Sequence, residues 1–394
     1  MSTSTVRHRL SDSQMQALAE VPGSRESEIR LGARIPATNY TDPARFELEK
    51  AAIFFNEPMM VGPSAYLPKP NTRFTEEILG TPLLVTRDAA GKVHAFLNVC
   101  RHRGTLLCTE KGTQSGARMV CPYHAWSYSA DGRLVGVPRE EVFIGLDRGN
   151  HSLVELPAKE AGGLIYVGLK PGVDIDFSDV DGMLAADLTG LGMPDMTVYR
   201  KTTYKLDANW KLLMDTMLDK YHVQRLHQNT LARFFDDSPE VSHMIGPHVR
   251  SASGRKNFVP TDINEDFEIA RRRTVFGYAI YPQGAIVVSP RYVNLCVMRP
   301  ISINRTDVDY LMMITDEPAD EESRQKLETS WDLMDIGFGK EDFWAAELGQ
   351  KGLASGAVSE LLLGGHEHRI KMFHDAMNER LEAYRRRVAG GATK

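Results

Sequence analysis

Short apolar runs separated by turn-forming residues in the first half of the chain predict short β-strands. Between about Ala51 and Leu169, short apolar runs are separated by Gly, Pro and Asn; the clearest are PLLVTRD, KVHAFLNV, ARMVCPY, WSYSADGRLVG and GGLIYVGL. In WSYSADGRLVG, the Asp131–Gly132 pair lies between two strand-like runs and is a strong hairpin signal. Because short strands with frequent turns favour hairpins over βαβ units, this half predicts a small antiparallel β domain.

The second half of the chain mixes helical and strand patterns. Residues 205–235 and 321–352 have helical spacing, whereas three later stretches read as strands: YAIYPQGAIVVSP, RYVNLCVMRPISI and DVDYLMMITDEP. Near the end, apolar residues recur at three- and four-residue steps and predict an amphipathic helix over HRIKMFHDAMNERLEAYRRRV. Grouped strands and helices predict an α+β fold class, with an antiparallel sheet and surrounding helices in this half.

These patterns divide the chain into three predicted parts. Residues 1–45 form an N-terminal arm with some helix, which we expect to pack on the larger domain or on a neighbouring subunit. Residues 46–170 form the small β domain, and residues 171–394 form the larger α+β domain. A chain of 394 residues is long enough for two domains of this kind.

Composition and charge narrow the class of protein. A hydrophobic content of 42% and a charged content of 25% are typical of soluble globular proteins, and the net charge of −5 argues against a nucleic-acid surface. No apolar run approaches the ~18 residues of a membrane span, and the first residues lack the apolar segment of a signal peptide. Four cysteines in so long a chain do not make a disulfide framework. We therefore expect a cytoplasmic protein whose thiolates are free to bind metal.

Two Cys and two His form the first candidate site. Cys100 and His102 form a C-x-H pair, Cys121 and His124 form a C-x-x-H pair, and eighteen residues separate the two. A 2Fe–2S cluster with two Cys on one iron and two His on the other is the Rieske arrangement. Because neutral imidazoles replace two thiolates, such a cluster has a raised potential and can accept an electron from a reductase or ferredoxin.

The same four residue types could also hold zinc. A Cys₂His₂ zinc site is chemically plausible, but the C-x-H half is unusual for zinc, where C-x₂₋₄-C and H-x₃₋₅-H spacings dominate. The spacing favours iron–sulfur and leaves zinc open. Cys108 and Cys296 have no neighbouring His in such a frame, and we interpret them as packed side chains.

The segments NVCRHRG and CPYHAWSYSADGRL resemble the signatures of Rieske non-haem iron oxygenase α subunits. Those signatures read C-x-H-R-G and C-P-Y-H-G-W, followed by a β segment and D-G. The match extends beyond the four ligands to Arg103, Gly104, Tyr123 and Trp126, and it departs at Ala125, where Gly is usual. The resemblance implies that the four Cys and His residues bind a Rieske 2Fe–2S cluster, with Arg103 and Trp126 next to it.

A second candidate site lies in NWKLLMDTMLDKYHVQRLHQNT, which offers Asp219, His222 and His227. On a helix, Asp219 and His222 share one face, whereas His222 and His227 can reach one metal only if the helix loosens or ends between them. Two His and one carboxylate make the facial site that holds ferrous iron in oxygenases.

Another triplet has the same spacing, namely Glu240, His243 and His248, but Gly246–Pro247 makes that segment a turn. Spacing alone makes the two triplets nearly equal candidates for the iron site.

The resemblance separates the two triplets. NWKLLMDTMLDKYHVQRLH looks like the family segment N-W-K…D-x-Y-H-x₄-H, which implies that His222 and His227 are iron ligands. In the family the acid before Y-H is a bridge, so Asp219 would connect His222 by hydrogen bonds to His124 of the partner subunit.

The third ligand of the iron should come from a later helix. EDFWAAELGQ resembles the family stretch E-D-x₄-E-x-x-Q and nominates Asp342. An acid near a helix start is also favoured by the helix dipole, so Glu341 and Asp335 are rival candidates.

The resemblance implies the terminal oxygenase component of a multicomponent system that uses O2. No Gly-rich dinucleotide fingerprint is present, so electrons from NADH or NADPH should arrive through a separate reductase or ferredoxin. The resemblance also implies a homotrimer, with a β subunit left open. A non-catalytic electron carrier or a zinc-binding interaction protein is the remaining alternative.

The apolar residues around the iron segment favour a small hydrophobic, aromatic substrate. Ring hydroxylation is the leading interpretation, and oxidative N- or O-dealkylation of an aromatic or quaternary-amine substrate is the alternative. The residues that we expect in the substrate pocket are Asp215, Met217, Leu218, Val223, Leu231 and Phe235. The segment Met214-Asp215-Thr216 departs from the Glu-Asn-Phe that is common in the family.

Overall fold

The computed structural model describes residues 8–22, 30–234, 240–256, 258 and 267–391. The chain divides into two compact units, one of residues 54–177 and one of residues 1–53 with 178–394. Within the described ranges, no helix combines the length and the apolar character needed to cross a lipid bilayer. The domain limits that we predict at residues 45 and 170 remain predictions.

The N-terminal segment contains mostly helices. Its elements are α1 (Asp12–Ala19), β1 (Ala33–Pro36), α2 (Thr38–Thr41), α3 (Pro43–Glu49) and a π-helix (Lys50–Phe54). A capping box starts α1, because Ser11 accepts a hydrogen bond from the Gln14 N–H and the Gln14 side chain accepts one from the Ser11 N–H. Gln14 is fully buried and donates to the Tyr278 hydroxyl at 2.8 Å, which fixes this helix on the larger unit.

The unit of residues 54–177 is built from short strands. They are β2 (Met59–Pro63), β3 (Thr72–Ile78), β4 (Thr81–Arg87), β5 (Val93–Leu97), β6 (Gln114–Ser115), β7 (Arg118–Val120), β8 (Ser127–Ser129), β9 (Leu134–Gly136), β10 (Glu155–Leu156), β11 (Ala158–Ala161) and β12 (Leu164–Val167). Short 3₁₀ helices lie at Ser64–Tyr66, Glu140–Val142 and Gly149–His151. The strands form antiparallel sheets in the orders β10-β5-β4-β3-β6, β11-β12-β2 and β7-β8-β9. The antiparallel β prediction is therefore confirmed.

The predicted hairpin at Asp131–Gly132 joins β8 to β9. Gly132 has a φ of +82°, and a Cβ there would lie 2.4 Å from the Phe96 ring, so only glycine fits this turn. Phe96 belongs to a buried cluster that also contains Leu84, Tyr128 and Leu134. The turn is thus packed directly against the core of this unit.

The larger unit contains a seven-stranded antiparallel sheet in the order β13-β19-β18-β17-β16-β15-β14. Its strands are β13 (Thr197–Leu206), β14 (Glu240–Ile245), β15 (His248–Gly254), β16 (Thr274–Ile280), β17 (Gly284–Val288), β18 (Val293–Ser302) and β19 (Arg305–Ile314), and β20 (Glu360–Leu363) pairs separately with β1. Its helices are α4 (Met183–Gly190), α5 (Trp210–Leu218), α6 (Val223–Leu226), α7 (Phe267–Arg273), α8 (Glu321–Asp335), a π-helix (Ile336–Asp342), α9 (Phe343–Ala354) and α10 (His368–Gly391), with 3₁₀ turns at Met193–Asp195, Ala232–Phe234 and Gly365–Glu367. This grouping confirms the α+β prediction.

The helical prediction over residues 205–235 is confirmed in part, because the range contains α5 and α6 but no continuous helix. Strand β13 continues to Leu206, and α5, α6 and a 3₁₀ turn replace one long helix. The break follows Leu218, where Asp219 takes an extended conformation with ψ of 136°. By contrast, the segment 321–352 is helical throughout, with a π-helix between α8 and α9.

Helix α5 is fixed at its start by buried polar contacts. Asn209 caps the helix by accepting from the Lys211 N–H at 3.0 Å. The Lys211 ammonium is fully buried and lies 2.7 Å from a carboxylate oxygen of Glu49, which is also fully buried. Removing Glu49 would leave the buried Lys211 ammonium without this carboxylate, whereas Glu49 also pairs with Arg45 at 2.9 Å. The Lys211–Glu49 pair therefore helps to specify how the N-terminal segment and α5 meet.

Candidate metal centres and the adjoining cavity

The two Cys–His loops of the smaller unit share one backbone geometry. The Cys100 N–H donates to Thr105 O and the Cys121 N–H donates to Trp126 O, both at 2.8 Å. In each loop the fourth residue after the cysteine donates back to the cysteine carbonyl at 3.0 Å; these residues are Gly104 and Ala125. Both have a positive φ, of +76° and +57°. The family position where glycine is usual is therefore a left-handed position, which Ala125 occupies at a conformational cost.

The side chains of these loops arrange two thiols and two imidazoles. Cys100 and Cys121 are both buried in the hydrophobic core of the unit, and the Cys100 Sγ lies 3.4 Å from the Tyr128 hydroxyl. The rings of His102 and His124 are 4.6 Å apart between centroids. Thiols and imidazoles thus form two pairs, which suits a cluster with two different irons.

Two observations test whether these residues fit a Rieske cluster. The Nδ1 atom of His102 is buried and has no hydrogen-bond partner, as expected for a nitrogen reserved for a metal. Among the described residues, only His222, His227 and Asp342 place three donor atoms within 4.8 Å of one another. The donor atoms of the two loops therefore lie farther apart than they would around a single tetrahedral zinc ion, whose bonds are about 2.0–2.3 Å long. The residues fit a two-iron cluster.

The two residues expected next to the cluster differ in their contacts. Trp126 is buried and stacks on the His102 ring, with centroids 4.7 Å apart and planes 10° from parallel. Arg103 is exposed and its guanidinium lies 5.4 Å from the centre of the Tyr123 ring, which in turn packs on His124 at 3.7 Å. Trp126 therefore fixes one imidazole directly, and Arg103 reaches the other only through Tyr123.

The second candidate centre lies where α5 ends. His222 and His227 stand immediately before and after the single helical turn α6, as its N-cap and C-cap residues. Ending the helix at both histidines lets their Nε2 atoms approach to 3.2 Å, which a continuous helix would prevent. The predicted requirement, that the helix loosens or ends between the two histidines, is met because α6 ends at Leu226.

Asp342 completes this group from a distant part of the chain. Its Oδ1 atom lies 3.3 Å from His222 Nε2 and 3.1 Å from His227 Nε2, and it is the last residue of the π-helix. Three donors that bind one ion facially at about 2.1 Å are separated by about 3.0 Å, so the spacing fits a mononuclear site. His227 and Asp342 are buried, and π-helical turns are frequent at functional sites.

Each histidine of this centre has its own carboxylate partner on the other ring nitrogen. Asp219 Oδ2 lies 3.1 Å from His222 Nδ1, and Asp219 Oδ1 accepts from the Tyr221 N–H at 2.6 Å. Glu341 Oε2 lies 2.6 Å from His227 Nδ1 and accepts from the Thr230 hydroxyl at 2.7 Å. Such partners fix the tautomer and orientation of metal-binding histidines.

The electrostatics of the centre favour a bound cation. Burial lowers the pKa of His222, but Asp219 and Asp342 more than offset this and raise it to about 10. Burial raises the pKa of Asp342, and the two histidines lower it below its ordinary value. Positive charge is therefore stabilised where the three donors meet, and a divalent ion supplies that charge.

The rival candidates have other partners. Asp335 accepts a hydrogen bond from the Tyr204 hydroxyl, away from the histidines. In the second triplet, Glu240 and His243 lie on β14 and His248 lies on β15. His243 Nε2 is 2.7 Å from Glu20, and His248 Nδ1 accepts from the Tyr281 N–H at 2.9 Å. The predicted turn at Gly246–Pro247 joins those strands, and the triplet does not converge on one point.

A cavity of about 820 Å³ adjoins the mononuclear centre. Its apolar lining includes Met217, Val223, Leu231, Phe234 and Phe338. Its sheet side is formed by alternate residues of three neighbouring strands and the residue after the last of them: Ser251 and Ser253 on β15, Val275 and Gly277 on β16, Val287 on β17, and Ser289 directly after β17. The volume is in the range of small-molecule sites, and the donors His222, His227 and Asp342 lie in its wall.

Comparisons with known proteins identify two domains in this chain. Residues 57–147 match the Rieske [2Fe-2S] domain, and residues 193–383 match the ring hydroxylating alpha subunit (catalytic domain). The chain belongs to the Rieske non-haem iron oxygenase family. Both metal sites lie inside the matched regions.

Two curated relatives show how similar this chain is to known proteins and over what length. It is 27% identical over 355 residues to the carnitine monooxygenase oxygenase subunit of Escherichia coli (strain K12), covering 87% of this chain and 92% of the relative. It is 34% identical over 212 residues to the glycine betaine monooxygenase oxygenase subunit of Chromohalobacter salexigens, covering 52% of this chain and 46% of that relative. The chain thus spans about half the length of the glycine betaine relatives that it matches.

The fold also matches that of a solved dioxygenase. Naphthalene 1,2-dioxygenase from Rhodococcus sp. bound to indole superposes with a TM-score of 0.74 at 19% identity, over 94% of this chain and 98% of the other. At this identity the likeness concerns the fold alone.

Some of the residues that we expect in the substrate pocket line the cavity, and others lie elsewhere. Met217, Val223 and Leu231 line the cavity, whereas Leu218 and Asp215 are not part of its lining. Asp215 is buried beside α10 instead, where it accepts from the Tyr40 hydroxyl at 2.7 Å and lies 3.1 Å from His374 Nε2. Phe235 lies outside the described residues.

Sequence reasoning missed the role of Glu341, which it treated only as a rival ligand. The available signal was its position directly before Asp342, at the end of the π-helix. It also missed Thr230, Ser251 and Arg369, which lie far apart in sequence and show no motif. Only the packing of β15, α10 and the iron segment brings their side chains to the centre or the cavity.

Proposed function

We propose that this chain is the terminal oxygenase component of a multicomponent Rieske non-haem iron oxygenase. The observation that carries the proposal is the convergence of His222, His227 and Asp342 beside a substrate-sized cavity, in a chain that also has a Rieske domain. An electron carrier needs only the Rieske domain, and it has no use for a second donor set or for the cavity. Zinc-binding proteins likewise need neither.

Each group of site residues has a separate proposed role. Cys100, His102, Cys121 and His124 would hold the 2Fe–2S cluster, and His222, His227 and Asp342 would hold the mononuclear iron. When bound, that iron supplies the activation of O2, using electrons delivered from the cluster. Asp219 and Glu341 keep the two imidazoles in the orientation that presents Nε2. The apolar part of the cavity excludes water from the substrate.

Asp219 is the element through which we expect electrons to arrive. We propose that it connects His222 to His124 of the partner subunit in a homotrimer, with or without an added β subunit. It keeps 19% of its side-chain surface exposed, and the neighbouring Tyr221 is 69% exposed, so an approaching chain can reach it. Electrons would come from NADH or NADPH through a reductase or a ferredoxin.

For the substrate, we favour a small quaternary amine and a monooxygenation that ends in dealkylation. This choice rests on the names of the two curated relatives, which act on carnitine and glycine betaine. Ring hydroxylation of an aromatic substrate is the second candidate, favoured by the apolar lining from Met217, Phe234 and Phe338. Both outcomes need the same iron site and differ in which substrate carbon faces it.

Metal analysis tests the oxygenase assignment, because we expect two sulfides and three irons per chain, one of them removable by a mild chelator. Zinc without sulfide would refute it. A second assay then separates the reactions: substrate-stimulated O2 uptake with a surrogate reductase and NADH, for glycine betaine, L-carnitine, choline and benzoate. Release of an aldehyde supports dealkylation, and a cis-diol supports ring hydroxylation.

A further inference from the structure

Cationic side chains outnumber acidic ones among the described residues that line the cavity. Apart from the residues of the iron centre and Asp219, two of these residues are acidic, Glu240 and Glu322, and Glu322 pairs with Lys326. Five are cationic: Lys220, Arg255, Arg291, Lys326 and Arg369. A concave site with excess positive charge and partly apolar walls concentrates the field and attracts anions. An isolated cation would meet repulsion in the same place.

Arg369 is the most informative of these cations because it is buried. It is the second residue of α10 and only 8% exposed. Its Nη1 donates to the Ser251 hydroxyl on β15 at 2.9 Å. A Cβ at Gly277, on the next strand, would lie 2.9 Å from Ser251 Oγ and 3.9 Å from that Nη1. Gly277 therefore provides the space in which the guanidinium and the hydroxyl meet.

The guanidinium of Arg369 uses few of its five donors. Its Nε atom is buried without a hydrogen bond, although Glu240 Oε1 is 3.5 Å away. Among the described residues, Ser251 is its one hydrogen-bond acceptor. Buried donors without acceptors are costly, and a carboxylate offers a guanidinium two parallel acceptors. The missing acceptor is thus of a kind that a ligand in the cavity can supply.

Glu240 is not a dedicated partner of Arg369. The same carboxylate lies 3.5 Å from Arg369 Nε and 3.7 Å from the Lys220 ammonium. Lys220 stands two residues before His222. A ligand held at Arg369 is therefore bound in the wall that continues into the iron centre.

We propose that Arg369, positioned by Ser251 and by the space above Gly277, anchors a carboxylate group of the substrate. The substrate is then a small organic acid, with its other end directed to the iron centre. This deepens the proposed function and rests on it. It selects acids within both candidate classes, namely amine acids and aromatic acids, and it rejects neutral or purely cationic analogues of the same size.

Matched ligand pairs test the anion preference by calorimetric titration of the holoprotein. Glycine betaine and choline both carry a trimethylammonium group, but glycine betaine has a carboxylate where choline has a hydroxyl. Benzoate and benzyl alcohol make the same comparison on an aromatic ring. We expect at least one acid to bind about 10-fold or more tightly than its alcohol. Equal affinities in both pairs, or no binding of either acid up to about 10 mM, would overturn the proposal.

Three variants locate the anchor, using the acid that binds. Arg369→Met should weaken that acid by about 30-fold and leave the alcohol unchanged, because a charge-assisted hydrogen bond is lost. Lys371→Met removes the same charge from the same helix but outside the cavity lining, and should change affinity less than about 2-fold. Glu240→Gln should tighten acid binding by about 3-fold or more, since it removes a competing carboxylate. Unchanged acid affinity in Arg369→Met, or weaker binding in Glu240→Gln, contradicts the proposal.

If Arg369→Met does not fold, the variants Ser251→Ala and Glu240→Gln test the anchor instead. We expect Ser251→Ala to weaken the affinity for the acid by about 3-fold or more. Iron and sulfide contents of every variant keep the two proposals apart. Full metal content with no effect at Arg369 defeats the anchor and leaves the oxygenase assignment intact. Absence of the third iron defeats the oxygenase assignment whatever the binding shows.

Discussion

The two metal centres of this chain are built on opposite principles. The cluster loops take all four donors from two adjacent segments, and each loop closes on itself through the same pair of backbone hydrogen bonds. The mononuclear centre combines two neighbouring histidines with Asp342, and one of its orienting carboxylates, Glu341, lies 114 residues from the histidine that it contacts. The first centre is set by local backbone geometry, and the second depends on how distant helices pack.

The sharpest test of this contrast is removal of the long-range ligand. We expect Asp342→Ala to lose the mononuclear iron and to lower turnover on the order of 1,000-fold or more, because two histidines alone hold the ion poorly. Sulfide content and the cluster's visible spectrum should not change, since the cluster donors lie in the other unit. Asp335→Ala is the matched control, because its partner is Tyr204. Loss of the cluster in Asp342→Ala would show that the two centres are not independent.

A second test concerns coupling between the centres. Asp219→Asn keeps the size of the side chain that contacts His222 and Tyr221 but removes its charge. We expect both metals to stay bound and turnover to fall about 100-fold, since the proposed bridge would no longer favour a protonated imidazole partner. Metal content and single-turnover electron transfer from a pre-reduced cluster measure the effect. Wild-type turnover would contradict the bridge.

A smaller effect should follow from loss of the carboxylate behind His227. We expect Glu341→Ala to weaken binding of the mononuclear iron about 10-fold to 100-fold, because the imidazole loses the acceptor that fixes its tautomer. Competition with a ferrous chelator measures this affinity. Glu347→Ala serves as the control, since Glu347 lies farther along the same chain segment and accepts a hydrogen bond from the Asp207 N–H. Equal metal affinity in the two variants would mean that packing alone holds His227.

The smallest effect tests the local geometry of the cluster loops. We expect Ala125→Gly to stabilise the protein by a net amount of about 0.5–1 kcal/mol. Glycine adopts the positive φ of that position without strain, and this gain is larger than the loss from the greater conformational entropy that glycine gives the unfolded chain. Gly104→Ala, at the equivalent position of the other loop, should destabilise by a similar amount, although open space surrounds its Cβ. Chemical denaturation of the holoprotein measures both. Effects of the same sign would refute the equivalence of the two loops.

The sequence alone was sufficient where chemistry depends on neighbours in the chain. The spacing of Cys100, His102, Cys121 and His124, the hairpin at Asp131–Gly132 and the short strands are all local, and the structure reproduces the predicted antiparallel unit. The helical prediction over residues 205–235 was only partly right, for a related reason. Apolar periodicity does not register the extended conformation of Asp219, which separates α5 from the turn that carries the histidines.

Only the tertiary structure decided what depends on distant contacts. It placed the Asp342 carboxylate beside the two histidines and Glu341 against His227, and it buried Asp215 against Tyr40 and His374 away from the cavity. It also brought Arg369 of α10 to Ser251 of β15, two residues 118 positions apart with no shared motif. A sequence pattern reports which side chains are near each other along the chain, whereas a site in a folded cavity depends on which surfaces the hydrophobic core brings together.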